Sequence, residues 1–172
     1  MAPSIWVKGG AGACISWAVA ETTLGPVLIA ASDKGVCRVA FGESEEALRR
    51  RFPNAHLAEG NDDFAALVQQ VVDQVEAPGQ SADIPMDVQG TVFQQRVWDA
   101  LCSIPPGETR SYGEIAALLG APKASRAVGG ANGANGVAVL IPCHRVVQAG
   151  GALGGYAYGP AIKAELLRRE RT

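Results

Sequence analysis

The sequence predicts an α+β protein: an N-terminal α/β lobe with a small antiparallel sheet, then a mainly helical lobe containing a helix-turn-helix. Three observations carry this expectation. Short β-prone runs separated by Gly-containing turns fill residues 15–41. Two helical patterns follow them. From Thr91 onward, helical segments alternate with short Gly/Pro turns. With 172 residues and 48% hydrophobic content, the chain can build one core or two small lobes.

The elements follow in order. Residues 1–14, with the Gly-rich "KGGAGA", read as a flexible tail or the remnant of a longer chain. "ISWAVAETTLG", "PVLIAASDKG" and "VCRVAFG" form the meander. "ESEEALRRRFP" reads as a helix with acids in its first turn, bases in its last and Pro53 after it, as the helix dipole favours. "DDFAALVQQVVDQVEAPG" is a second helix, with Phe64, Leu67, Val68, Val71 and Val75 on one face. "IPMDV" suggests one more strand. These residues, 15–90, make a scaffold lobe without obvious chemistry, and residues 91–172 make the second lobe.

In the second lobe, "TVFQQRVWDALCSI" is a helix closed by "PPGE". Ser111 and Glu114 have the spacing of a capping box, which opens the next helix, and Gly120 stops it. "APKASRAVGGANGAN" begins another, with Pro122 suited to its first turn. Helix, short turn, helix is the outline of a helix-turn-helix, although an ordinary helical hairpin has the same outline. Gly129, Gly130 and Gly133 each cost a helix roughly 1 kcal/mol relative to Ala. Such glycines make sense where a smooth helix face approaches another backbone.

Charge separates the halves. Residues 1–95 hold 6 Lys/Arg and 12 Asp/Glu, a net of −6, while residues 96–172 hold 9 and 5, a net of +4. A basic half within a chain of net charge −2 points to a polyanion partner for that half. No apolar run approaches the roughly 20 residues needed to span a bilayer. The start lacks a charged n-region followed by an apolar h-region, so a reducing cytoplasm is the expectation. Cys14, Cys37, Cys102 and Cys143 are scattered and only His56 and His144 accompany them, so neither a disulfide framework nor a metal site is expected.

The stretch "VLIPCHRVV" sets a thiol, an imidazole and a guanidinium inside apolar sequence. "VAVLI" reads as a buried strand entering Pro142, with the chain turning at Cys143. Neighbouring side chains on a strand point to opposite faces, so Cys143 and His144 need irregular backbone or a bridging water to communicate. A buried thiol is by default an inert small hydrophobe; an imidazole that takes its proton makes it a nucleophile on demand. Spacing alone leaves both readings open. A helix-turn-helix regulator with a structural or redox cysteine and a cysteine hydrolase are the competing classes.

"IPCHRVV", preceded by "SRAVGGANGAN" and followed by "GGYAYGPAIKAELLRRE", resembles the O6-alkylguanine-DNA alkyltransferase family. The resemblance covers about residues 91–172, with residues 15–88 matching more loosely. "EALRRRFPNA" and "FQQRVW" look most like the C-terminal half of bacterial two-part adaptive-response proteins. It implies stoichiometric transfer of an alkyl group from O6-alkylguanine, and from O4-alkylthymine, to Cys143, with the nucleotide flipped out of the duplex. His144 would take the thiol proton through a water, Glu170 would hold His144, and Tyr112 would donate to guanine N3. Arg126 would enter the base stack, with Ser111, Lys123, Ala127, Gly129 and Gly130 beside it on minor-groove DNA. Asn135 would tie the helix-turn-helix to the Cys143 segment. Val146, Val147, Tyr156, Ala157 and Tyr158 would shape the base pocket. A monomer without cofactor or metal is implied. The bacterial pattern G-Y-R-W-G is "GYAYG" here, so Ala157 and Tyr158 stand where an arginine and a tryptophan are usual.

Overall fold

The structure, a computed structural model, describes residues 12–80 and 82–171. The expected tail therefore lies, for residues 1–11, outside the described residues. The described residues form two compact units: residues 12–76 with 82–89, and residues 77–80 with 90–171.

The first unit is built on the expected meander. Strands β1 (Cys14–Thr22), β2 (Gly25–Ser32) and β3 (Gly35–Phe41) pair antiparallel. Val27, Leu28, Ile29 and Ala30 are all buried, so both faces of β2 are covered. One face packs Ile15, Leu28, Ala30 and Cys37 against Leu48 and Phe52. Leu48 belongs to helix α1 (Glu45–Arg51), and Phe52 caps that helix. Ser44 caps the other end, its hydroxyl accepting from the Ala47 amide. Helix α2 (Asp62–Glu76) buries Phe64, Val71 and Val75 as the stripe predicted, with Leu67 and Val68 half-buried.

Two features of this unit differ from expectation. A short strand, β4 (His56–Ala58), pairs parallel with β1, giving the order β3-β2-β1-β4. Three residues carry no alternation signal, so its partner alone makes it a strand. "IPMDV" contributes only a single bridge between Met86 and Val36, held by Val36 N–H to Pro85 O and Asp87 N–H to Val36 O, each at 2.8 Å.

The second unit is mainly helical. Helix α3 (Val92–Cys102) opens with a capping box between Thr91 and Gln94. Trp98 on α3 donates its indole N–H to Ala131 O at 2.9 Å, tying α3 to the later helix that carries Ala131. The short strand β5 (Arg110–Ser111) leads into helix α4 (Tyr112–Leu118), whose Ser111–Glu114 capping box is present as predicted. Gly120, at φ +76°, ends α4, with Gly120 N–H to Ala117 O and Ala121 N–H to Ala116 O closing the turn.

Helix α5 (Ser125–Gly133) starts later than expected, because Pro122 and Lys123 lie in a turn before it. "VAVLI" is not a strand. Val139 sits at φ +70°, and Leu140 N–H reaches Ala138 O at 2.8 Å, a tight turn of the rare positive-φ kind. Pro142, at φ −80° and ψ 63°, makes a second tight reversal of the common inverse γ kind, with Cys143 N–H to Ile141 O at 2.7 Å. Cys143–Arg145 is one 3₁₀ turn, followed by β6 (Val146–Val147), which pairs parallel with β5, and helix α6 (Pro160–Glu170). No described helix is long and apolar enough to cross a membrane.

Candidate active site

The double reversal delivers Cys143 to the wall of a cavity, and asparagines hold it there. Asn135 Nδ2 donates to Ile141 O at 2.8 Å and its Oδ1 accepts from Val137 N–H at 3.0 Å. Asn132 Nδ2 donates to Cys143 O at 3.3 Å. Both asparagines are buried, and Asn132 lies on α5, so α5 is hydrogen-bonded directly to the thiol segment. The 3₁₀ turn supplies the irregular backbone that an adjacent Cys and His require.

The cavity holds about 240 Å³. Tyr112, Asn135 and Cys143 line it, with Gly129, Asn132 and Gly133 from α5 and Gly155, Tyr156, Ala157 and Tyr158 from the loop before α6. That loop carries Gly150, Gly151, Gly154 and Gly159 at positive φ. A Cβ on Gly154 would lie 3.7 Å from the Tyr112 hydroxyl, so the loop closes over that tyrosine. Tyr156 and Tyr158 meet edge to face at 5.5 Å.

Behind the thiol lies a buried ionic cluster. His144 is fully buried, with Nε2 3.1 Å from Glu170 Oε2. Burial lowers the imidazole below its ordinary 6.5, more than its contact with Glu170 raises it. Burial alone would raise Glu170, but hydrogen bonds from His144 and Arg145 and their charges hold it below the ordinary carboxylate value. Burial pushes the Cys143 thiol up, partly offset by the Asn135 side chain and then by the Lys163 charge. Tyr112 is raised by burial and by Cys143, so its hydroxyl stays protonated and can donate. A protonated thiol beside a neutral imidazole makes a nucleophile only when a base takes its proton.

Of the remaining expected site residues, Lys123, Arg126, Ala127 and Gly130 are exposed on α5 and the turn before it. Helical spacing places Arg126, Gly129, Gly130 and Gly133 on one face. Ser111 caps α4. Val146 and Val147 do not line the cavity; they are buried in the β5–β6 pairing. Three buried residues around the site were given no role by the sequence: Asn132 and Lys163, and Arg145, whose guanidinium stood out only for its apolar surroundings.

Residues 92–172 match the family described as "6-O-methylguanine DNA methyltransferase, DNA binding domain", and residues 15–77 match "6-O-methylguanine DNA methyltransferase, ribonuclease-like domain". The methylated-DNA–protein-cysteine methyltransferase of Methanosarcina acetivorans is 42% identical over 154 residues, 90% of this chain and 97% of that protein. This chain belongs to the 6-O-methylguanine-DNA methyltransferase family.

The regulatory protein ada of Salmonella typhimurium is 44% identical over 167 residues, 95% of this chain. The methyltransferase-family chain spans 47% of the length of that protein and 47% of its Escherichia coli counterpart, a bifunctional transcriptional activator and DNA repair enzyme. Among solved structures, Mycobacterium tuberculosis OGT in complex with DNA superposes with a TM-score of 0.76 at 38% identity, covering 92% of each chain.

Proposed function

We propose that this protein repairs DNA by transferring the alkyl group of O6-alkylguanine to Cys143, once per molecule. The observation that carries it is the placement of Cys143 on the cavity wall with the buried His144–Glu170 pair behind it. The S–C bond forms as the C–O6 bond breaks. The thiol proton passes to His144, whose imidazolium is then stabilised by Glu170. Tyr112, on the cavity wall and protonated, donates a hydrogen bond to N3 as the guanine leaves with the bonding electrons. The product is a thioether, which no side chain near Cys143 is chemically suited to cleave.

A cavity of about 240 Å³ suits a single base and not a duplex. The target nucleotide is therefore extruded, and O4-alkylthymine enters by the same route. Helices α4 and α5 act as the helix-turn-helix, with α5 against the minor groove and Arg126 in the space the flipped base leaves. Among the described residues, no Cβ on Gly130 or Gly133 would meet an atom beyond its own helix backbone within 4 Å. The protein's own packing thus does not require these glycines, which fits a partner backbone approaching that face. Residues 15–90 act as a scaffold for residues 91–172, and the working unit is a monomer in the cytoplasm.

Intact-mass measurement after mixing with a duplex bearing one O6-methylguanine tests the proposal. One methyl group per protein, mapped to Cys143 and absent in Cys143→Ala, is expected. Multiple turnovers, or methyl on Cys14, Cys37 or Cys102, would overturn it.

A further inference from the structure

Arg145 is buried and fixed on three sides. Its Nη1 donates to Ile104 O at 2.7 Å and its Nη2 to Pro78 O at 3.3 Å. Its Nε donates to Glu170 Oε1 at 3.1 Å and Oε2 at 2.9 Å, and Nη2 donates to Oε2 as well. Glu170 Oε2 is shared with His144 Nε2. The His144 Nδ1 atom is buried and has no hydrogen-bond partner among the described residues.

The charged groups acting on His144 are Glu170 and Lys163 from α6 and Arg145 from its own turn. Near neutral pH His144 is uncharged, so the constant cation against Glu170 is Arg145. This decides which ring nitrogen carries the proton. An ionised Glu170 can only accept, so the atom facing it must be Nε2–H. Arg145 has five N–H donors and no acceptor. A protonated Glu170 would therefore find its acceptor only at His144 Nε2, which would move the ring proton to Nδ1. Burial favours that protonated carboxyl wherever no cation opposes it.

We propose that Arg145 is a positioning residue: by holding Glu170 as a carboxylate acceptor, it fixes His144 as the Nε2–H tautomer and leaves Nδ1 as the ring's basic nitrogen. The inference rests on the reading of His144 as the acceptor of the Cys143 proton. An Nδ1–H tautomer has its lone pair tied up by Glu170 and cannot serve. Arg145 reaches the chemistry through two intermediaries, and its carbonyl anchors hold the guanidinium against the carboxylate.

Heteronuclear NMR of the full chain reads the tautomer of His144 directly, independently of any transfer. Wild type near neutral pH is expected to show Nε2–H. Arg145→Gln is expected to show Nδ1–H and to slow methylation of Cys143 by an O6-methylguanine duplex about tenfold or more. Arg145→Lys, which keeps the charge, is expected to retain Nε2–H and most of the rate. Wild type carrying Nδ1–H, or folded Arg145→Gln retaining Nε2–H at an unchanged rate, overturns the proposal. If Arg145→Gln does not fold, wild type and Arg145→Lys decide: Nδ1–H in either one overturns it. An Nδ1–H wild type that still methylates Cys143 sinks this inference alone. A wild type that takes no methyl group sinks the proposed function instead.

Discussion

The Lys163 ammonium donates to the carbonyl of Val146 at 2.6 Å and to that of Gly155 at 3.1 Å. One fully buried cation thus links α6, the strand after the thiol and the loop that closes the cavity. Its charge also acts on Cys143, favouring the thiolate, while burial lowers its own pKa. Lys163→Met should leave two carbonyls without a donor, at a cost of about 1–3 kcal/mol for each that stays buried. The urea midpoint should fall, and Cys143 alkylation should shift to higher pH because the thiolate loses its cation. A shift in stability with no shift in the pH profile would confine Lys163 to holding the loop.

Glu170→Gln should cost more stability than an exposed charge change. Its carboxylate accepts from both Arg145 and His144, and removing one partner of a buried pair typically costs about 3–5 kcal/mol. The imidazolium formed during transfer would also lose its counter-charge, so methylation of Cys143 should slow. A folded Glu170→Gln protein reacting at the wild-type rate would contradict the assignment of this carboxylate.

Much of this arrangement was legible in the sequence wherever the signal is local. The Ser111–Glu114 box, the apolar stripe of α2 and the turn residues of the meander each announce themselves within a few positions. What was hidden depends on contacts distant along the chain. Lys163 sits in "PAIKAELLRRE", where nothing nearby reveals that its ammonium ends at Val146. Strand β4 exists only through its pairing with Cys14–Ser16. "VAVLI" has β-branched composition yet folds into tight reversals, because Asn135 captures the backbone groups a strand would have paired. Arg145 and Asn132 gain meaning from the carbonyls and carboxylate they meet, none of them adjacent in sequence.

Acid should destabilise the fold in two steps. His144 has a folded pKa below 6.5, so under that pH the unfolded chain binds a proton the folded chain refuses. Stability contributed by the neutral imidazole is therefore present above 6.5 and lost as pH falls through the folded value. Glu170, also depressed, adds a second loss below 4.5. The slope cannot exceed about 1.4 kcal/mol per pH unit for each proton. Urea unfolding across this range should show the first step in wild type and lose it in His144→Gln. An identical slope in both proteins would place the linkage elsewhere.

Gly130→Ala and Gly133→Ala separate folding from binding. Among the described residues, neither added methyl group meets an atom beyond its own helix backbone within 4 Å, so each should raise helix stability by up to about 1 kcal/mol. If the α5 face lies against DNA, both should weaken duplex binding while the urea midpoint rises. Unchanged affinity would move the contact to another face.

Arg126 gives the sharpest test of how DNA is engaged. It is exposed near the start of α5, on the helical face that carries Gly129, Gly130 and Gly133, the first and last of which line the cavity. As the proposed wedge, its side chain would replace a flipped base in the stack and take no part in the thiol chemistry. Arg126→Ala should therefore slow methylation by duplex O6-methylguanine far more than reaction with the free O6-alkylguanine base, since only the duplex must hold an extruded nucleotide. The loss should persist at saturating DNA, because the proposed wedge would act after binding. Affinity of both proteins should fall steeply with salt as phosphate counterions are released, with the variant's slope smaller by about one contact at most. Equal slowing with duplex and free base would mean that Arg126 supports the fold or the thiol, and the wedge assignment would have to be abandoned.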